Sequence, residues 1–126
     1  MKINFSREVT FTPTWRGNDQ LPEGEKITSK LTVMNIQDFI EAVEFISSAK
    51  GTATVDEKTL VQTKGLLEAA QKLLPKYVKI VNLLDENGAD LSTEVVVSNA
   101  TLLNLTAELF MKLVEISQPS DIDVKN

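Results

Sequence analysis

Near residue 34 the spacing of apolar residues changes from every second position to every third or fourth, which limits the chain to folds that begin in sheet and continue in helix. Before the switch, Val9, Phe11 and Pro13 alternate with Glu8, Thr10 and Thr12, predicting a strand from about Ile3 to Thr12. Pro13 has no N–H, so the strand ends there or lies at a sheet edge. Trp15 and Arg16 lead into GNDQLPEGE, whose turn formers predict a surface loop. A second strand follows, with Ile27, Leu31 and Val33 on one face and Lys26, Thr28, Lys30 and Thr32 on the other. Ser29 interrupts its apolar side. The two strands are close enough in sequence to pair antiparallel, but the long connection leaves their register open.

After the switch, Asn35 is placed to cap a helix with an apolar stripe of Ile36, Phe39, Ile40, Val43 and Ile46. Asp38, Glu41 and Glu44 are expected to face water, and Lys50-Gly51 ends the helix. A second helix is expected from Asp56 or Thr59 to Leu74, its inner side marked by Leu60, Lys64, Leu67, Ala70, Leu73 and Leu74. Pro75 should break it, kink it or open a new one. Residues 77–84 suit a helix or a strand equally. DENGAD is a turn with Asn87-Gly88 at positive φ, and Ser92 to Val97 is again open between strand and helix. Leu102, Leu105, Leu109, Leu113 and Ile116 mark a final helix over about 100–117, stopped by Pro119. The expected fold is α+β: an N-terminal antiparallel hairpin or small sheet followed by three or four packed helices. At 126 residues it forms one domain, with a β segment over 1–34, a helical segment over 35–117 and a flexible tail over 118–126.

Composition then narrows the chemistry. The chain has no His and no Cys, removing the commonest neutral-pH acid/base and soft-metal ligands and any disulfide. A fold without cross-links suits a reducing compartment, and the N-terminus shows no apolar run of signal-peptide length, so a cytoplasmic location is expected. No stretch approaches the roughly 18 apolar residues of a membrane span. The net charge is −5; residues 75–126 hold four Lys and eight Asp/Glu, 4 − 8 = −4. No basic footprint for nucleic acid is visible.

No motif for catalysis or cofactor binding emerges. Glu41 and Glu44 sit on an expected solvent side, and Asp56-Glu57 suits a helix N-terminus. DENGAD resembles a calcium loop only superficially: Gly88 is fourth from Asp85, and Val96 stands where the closing Glu belongs. The phosphate-cradling and nucleophile-elbow glycine patterns are absent. No catalytic residue, cofactor or metal is expected, and the candidates that remain are for protein binding. Trp15, Arg16 and Asn18 place an aromatic and a cation at the entry to a loop, where such pairs often dominate contact energy. Leu105, Leu109, Phe110 and Leu113 form a broad apolar face that is either core or a partner or homo-oligomer surface. The lysines of 26–33 suit protection of an exposed strand.

The segment EVTFTPTWRGNDQLPEGEKI resembles the opening of small tail assembly chaperones and related tail-module proteins of tailed phages and prophages. The residues that carry the likeness are Val9, Phe11, Pro13, Trp15, Arg16, Gly17, Asn18, Leu21, Pro22 and Ile27, and VKIVNLLDENGADL and the leucine-rich last helix follow the same order. The resemblance implies a non-enzymatic factor of the host cytoplasm that binds the tape measure protein or tail tube protein during assembly. It implies no catalytic residues, and would put the contact on the Leu105, Leu109, Phe110 and Leu113 side. The alternatives are a structural phage component, such as a tail-completion, connector or minor capsid protein, and a small regulatory or inhibitor protein.

Overall fold

The computed structural model describes residue 1 and residues 7–47, 56–63 and 65–118. Strands β1 (Glu8–Phe11), β2 (Thr28–Thr32) and β3 (Val78–Val81) form an antiparallel sheet in the order β1-β2-β3. The register left open by the sequence is Val9 opposite Leu31 and Phe11 opposite Ser29, continuing with Ser29 opposite Ile80. Alternation puts Ile27, Ser29, Leu31, Val78 and Ile80 inward and leaves Thr10, Lys30, Lys79 and Val81 exposed. Ser29, the flaw in the apolar pattern, donates its hydroxyl to the Phe11 carbonyl at 3.0 Å, so its burial leaves no unmet polar group. The part of the first expected strand before Arg7 lies outside the described residues.

Helices α1 (Ile36–Ser47), α2 (Glu57–Gln62), α3 (Leu66–Tyr77), α4 (Thr93–Val97) and α5 (Leu103–Ser117) cover the inner face. The fold is α+β, as expected, although β3 falls within the stretch read as helical. Val78 to Val81 alternates buried and exposed, and a buried β-branched run at the sheet edge resolves the ambiguity toward strand. Ser92 caps α4 through the Val95 N–H, which resolves the other ambiguous stretch toward helix.

Three local features differ from expectation. The single helix expected after Asp56 is two. Asp56 caps α2 through the Thr59 N–H at 2.8 Å, and Gly65 at φ 84 breaks the ladder before α3. A Cβ on Gly65 would stand 2.4 Å from the Phe45 ring, so α1 and the break fit only around glycine. Pro75 neither breaks nor opens a helix: it lies inside the last turn of α3, where it removes one ladder bond and only Lys76 and Tyr77 follow it in the helix. In the DENGAD turn only Gly88 has positive φ. Asp85 Oδ1 instead accepts from the Asn87 and Ala89 N–H groups, an Asx arrangement that does not require a left-handed Asn.

α1 is rotated relative to its expected stripe. Asn35 Oδ1 does accept from the Asp38 N–H, but Ile36 and Ile40 are 73% and 49% exposed and Asp38 is buried. Asp38 Oδ2 accepts from Lys76 Nζ at 2.7 Å and from the Tyr77 hydroxyl at 2.5 Å; Tyr77 Oη accepts from the Asn35 N–H at 3.3 Å. This clasp draws the start of α1 to the end of α3. Fully buried Leu60, Leu66, Leu73, Leu74, Leu105, Leu109, Phe110 and Leu113 make one continuous core with the sheet. No described helix is long and apolar enough to cross a membrane.

Candidate protein-interaction site

The apolar face of α5 is not a free surface. Leu105, Leu109, Phe110 and Leu113 are each 0% exposed, so the expectation that they meet a partner is corrected: they lie within the core, where α5 contacts α3, α2 and α1. Beyond the expected two strands and two helices, α4 also contacts α5.

The other candidate cluster survives as a surface, with its members in different roles. Residues 15–20 form a 3-10 turn rather than an open loop, and Asn18 is its anchor, only 2% exposed. Its Nδ2 donates to the carbonyls of Pro13 and Ile27, both at 2.8 Å, and its Oδ1 accepts from the Ile27 N–H at 2.6 Å. Asn18 therefore binds the turn to the start of β2 and has no capacity facing a partner. On the other side, Glu108 of α5 accepts from the Thr14 N–H at 2.6 Å and the Thr14 hydroxyl at 3.1 Å.

Between these two anchors the backbone passes through the left-handed region twice, at Arg16 (φ 50, ψ 36) and Gly17 (φ 74, ψ 17). Glycine adopts that conformation freely; arginine there costs on the order of 1 kcal/mol. Trp15 packs partly against the core, and the exposed Arg16 guanidinium lies over its ring, 4.7 Å from the centroid. Among the described residues no carboxylate pairs with Arg16. The result is a flat aromatic–cation surface with open donors, preset by anchors below it. Leu21, 42% exposed, ends the turn. A shallow cleft of about 430 Å³ opens beside Thr14, lined also by Phe11, Glu108, Met111 and Lys112, with Lys112 Nζ 5.3 Å from the Phe11 ring.

The charged clasp is the other polar group of note. The Lys76 ammonium and the Tyr77 hydroxyl hold the Asp38 carboxyl below its ordinary range, against the opposing effect of burial. Lys76 is correspondingly raised, chiefly by Asp38. All three side chains are engaged with one another, which suits a structural tie. Among the described residues no group of three or more acidic side chains is arranged to hold a metal, and the Asp85 oxygen of the calcium-like turn is taken by backbone N–H groups.

Sequence reasoning found Trp15 and Arg16 but not the reason for their placement. Gly17 suits a left-handed position, but nothing in the local sequence announces that Arg16 shares that conformation or that Asn18 is buried. No family model, no curated protein and no solved structure matches the chain.

Proposed function

We propose that the chain is a non-enzymatic assembly factor that acts by binding another protein, with the Trp15–Arg16 turn as its contact surface. The observation that carries this reading is Arg16: a cation held in a left-handed conformation over an indole, exposed and without a carboxylate partner among the described residues. Arginine at that φ is strained and gives the fold only an exposed cation–π contact, whereas an interface gains a planar, preorganised donor. Such Trp and Arg side chains commonly dominate the energy of an interface.

The partner class rests on the resemblance of EVTFTPTWRGNDQLPEGEKI to small phage tail proteins. In this reading the chain binds the tape measure protein, or the tail tube protein, in the host cytoplasm while the tail forms. Its net charge of −5 favours encounter with a basic partner segment. The test is coexpression with the tape measure protein encoded in the same genome. The wild-type chain should copurify with that protein and raise its soluble yield, Arg16→Gly should do neither, and purified virions should lack the chain. Retention in virions would instead identify a structural tail component. Absence of copurification, with both proteins folded, contradicts the proposal.

A further inference from the structure

A groove of about 650 Å³ runs along the outer edge of β3, lined by Lys30, Lys79, Ile80 and Asn82 and, across from the strand, by Asp90 and Glu94. A second cleft of about 420 Å³ shares Val81, Asn82 and Asp90 with it and continues past Gly24 to Thr28. The edge is closed at both ends and open between them. Val78 donates its N–H to the Leu74 carbonyl, and its own carbonyl accepts from the Thr93 hydroxyl at 2.8 Å, so both groups point away from β2. Asn82 turns the chain out of the strand at φ 68. Antiparallel alternation sends the N–H and C=O of Ile80 to the same outer edge as those of Val78, and no described group meets them. A buried-side residue with an unmet donor and acceptor beside a groove is a place for one more strand.

The second observation is charge. Lys26, Lys72, Lys76 and Lys112 each stand within 3.4 Å of a carboxylate. Lys30 and Lys79 pair with none among the described residues, yet the register sets them directly opposite one another on the exposed face of the sheet. Like charges so placed disfavour strand pairing. Asp90 and Glu94 line the groove without forming an ion pair with either lysine. Facing each other across the register, these two ammonium groups can share one incoming carboxylate.

We infer that the β3 edge takes a short extended segment of another protein, hydrogen-bonded to Ile80 and carrying an acidic side chain over Lys30 and Lys79. This site stands on residues other than the Trp15–Arg16 turn and does not depend on the function proposed for it.

The test selects binders to the full chain from a random heptapeptide library, then titrates the enriched peptides into isotopically labelled protein. Enriched peptides should carry Asp or Glu and slow amide exchange at Ile80 by about tenfold or more, while Thr10, on the opposite edge, is unchanged. Lys30→Gln with Lys79→Gln, both on the solvent side, should keep the circular dichroism spectrum and weaken binding by about tenfold. The inference is overturned if no peptide is enriched, if enriched peptides are basic, if protection falls on Thr10, or if the double variant binds equally well. It is also overturned if Ile80 is already protected in a peptide-free dimer, since a second copy would then occupy the edge.

Discussion

Asn18 and Arg16 lie two positions apart and show how differently two polar side chains can serve one turn. Asn18 satisfies three buried backbone groups at once. Asn18→Ala removes all three bonds and should destabilise the fold by about 2–3 kcal/mol, measured by urea unfolding. Arg16 contributes nothing comparable: Arg16→Gly relieves the left-handed strain and loses an exposed cation–π contact, so stability should stay within about 1 kcal/mol. A third polar residue, Thr106, is fully buried with its hydroxyl unpartnered among the described residues. Thr106→Val replaces that hydroxyl with a methyl of similar size and should raise stability by up to about 1 kcal/mol, seen as a higher Tm. Asp38 makes a pH prediction. Its folded carboxyl is held below the ordinary value of 3.8, so its stabilisation is complete above about pH 4 and fades as pH falls through the folded value. The stability difference between the wild type and Asp38→Asn, followed by urea unfolding across pH, should therefore shrink below about pH 4. Lys76 has the opposite sign: its contribution is complete below 10.5 and is lost as pH rises through its raised folded value.

At the scale of elements, the periodicity made both hairpin strands legible, along with the Asn35 cap and the extent of the last helix. It failed where a distant contact decided the outcome. Asp38 follows Asn35 by three residues and reads as an exposed helix acid, but its partners Lys76 and Tyr77 lie on α3, a relation with no local signature. Pulling Asp38 inward turns Ile36 and Ile40 outward, which is why the apolar stripe was assigned one step off. Gly65 weakens a helix interior and permits close packing, but nothing nearby announces that Phe45 is the residue that comes close. Gly65→Ala should cost more than about 1 kcal/mol, combining the left-handed penalty with the collision against Phe45, and would show as a lowered urea midpoint. The β3 strand was obscured because four residues are too few for period two to stand out from period 3.6.

For the whole molecule, the broad leucine-rich face on α5 was open between core and partner surface, and the fold uses it as the centre. Leu109→Ala should cost about 2–5 kcal/mol through a cavity rather than alter binding alone, because Leu109 is fully enclosed. What the molecule offers outward is smaller and more polar: an aromatic–cation turn anchored from both sides, and a lysine-flanked sheet edge. Both depend on long-range placement, through Glu108 and Ile27 in one case and strand register in the other. The candidate turn residues were therefore visible in the sequence, while their geometry was not.

The most direct measurement compares the affinity of the wild-type chain and Arg16→Gly for the tape measure protein of the same genome, with the Tm of each recorded in parallel. Folding should be equal, and binding should be at least about thirtyfold weaker in the variant, the loss expected of an interface anchor worth about 2 kcal/mol or more. Equal affinity of the two proteins, or no affinity in either, would contradict it.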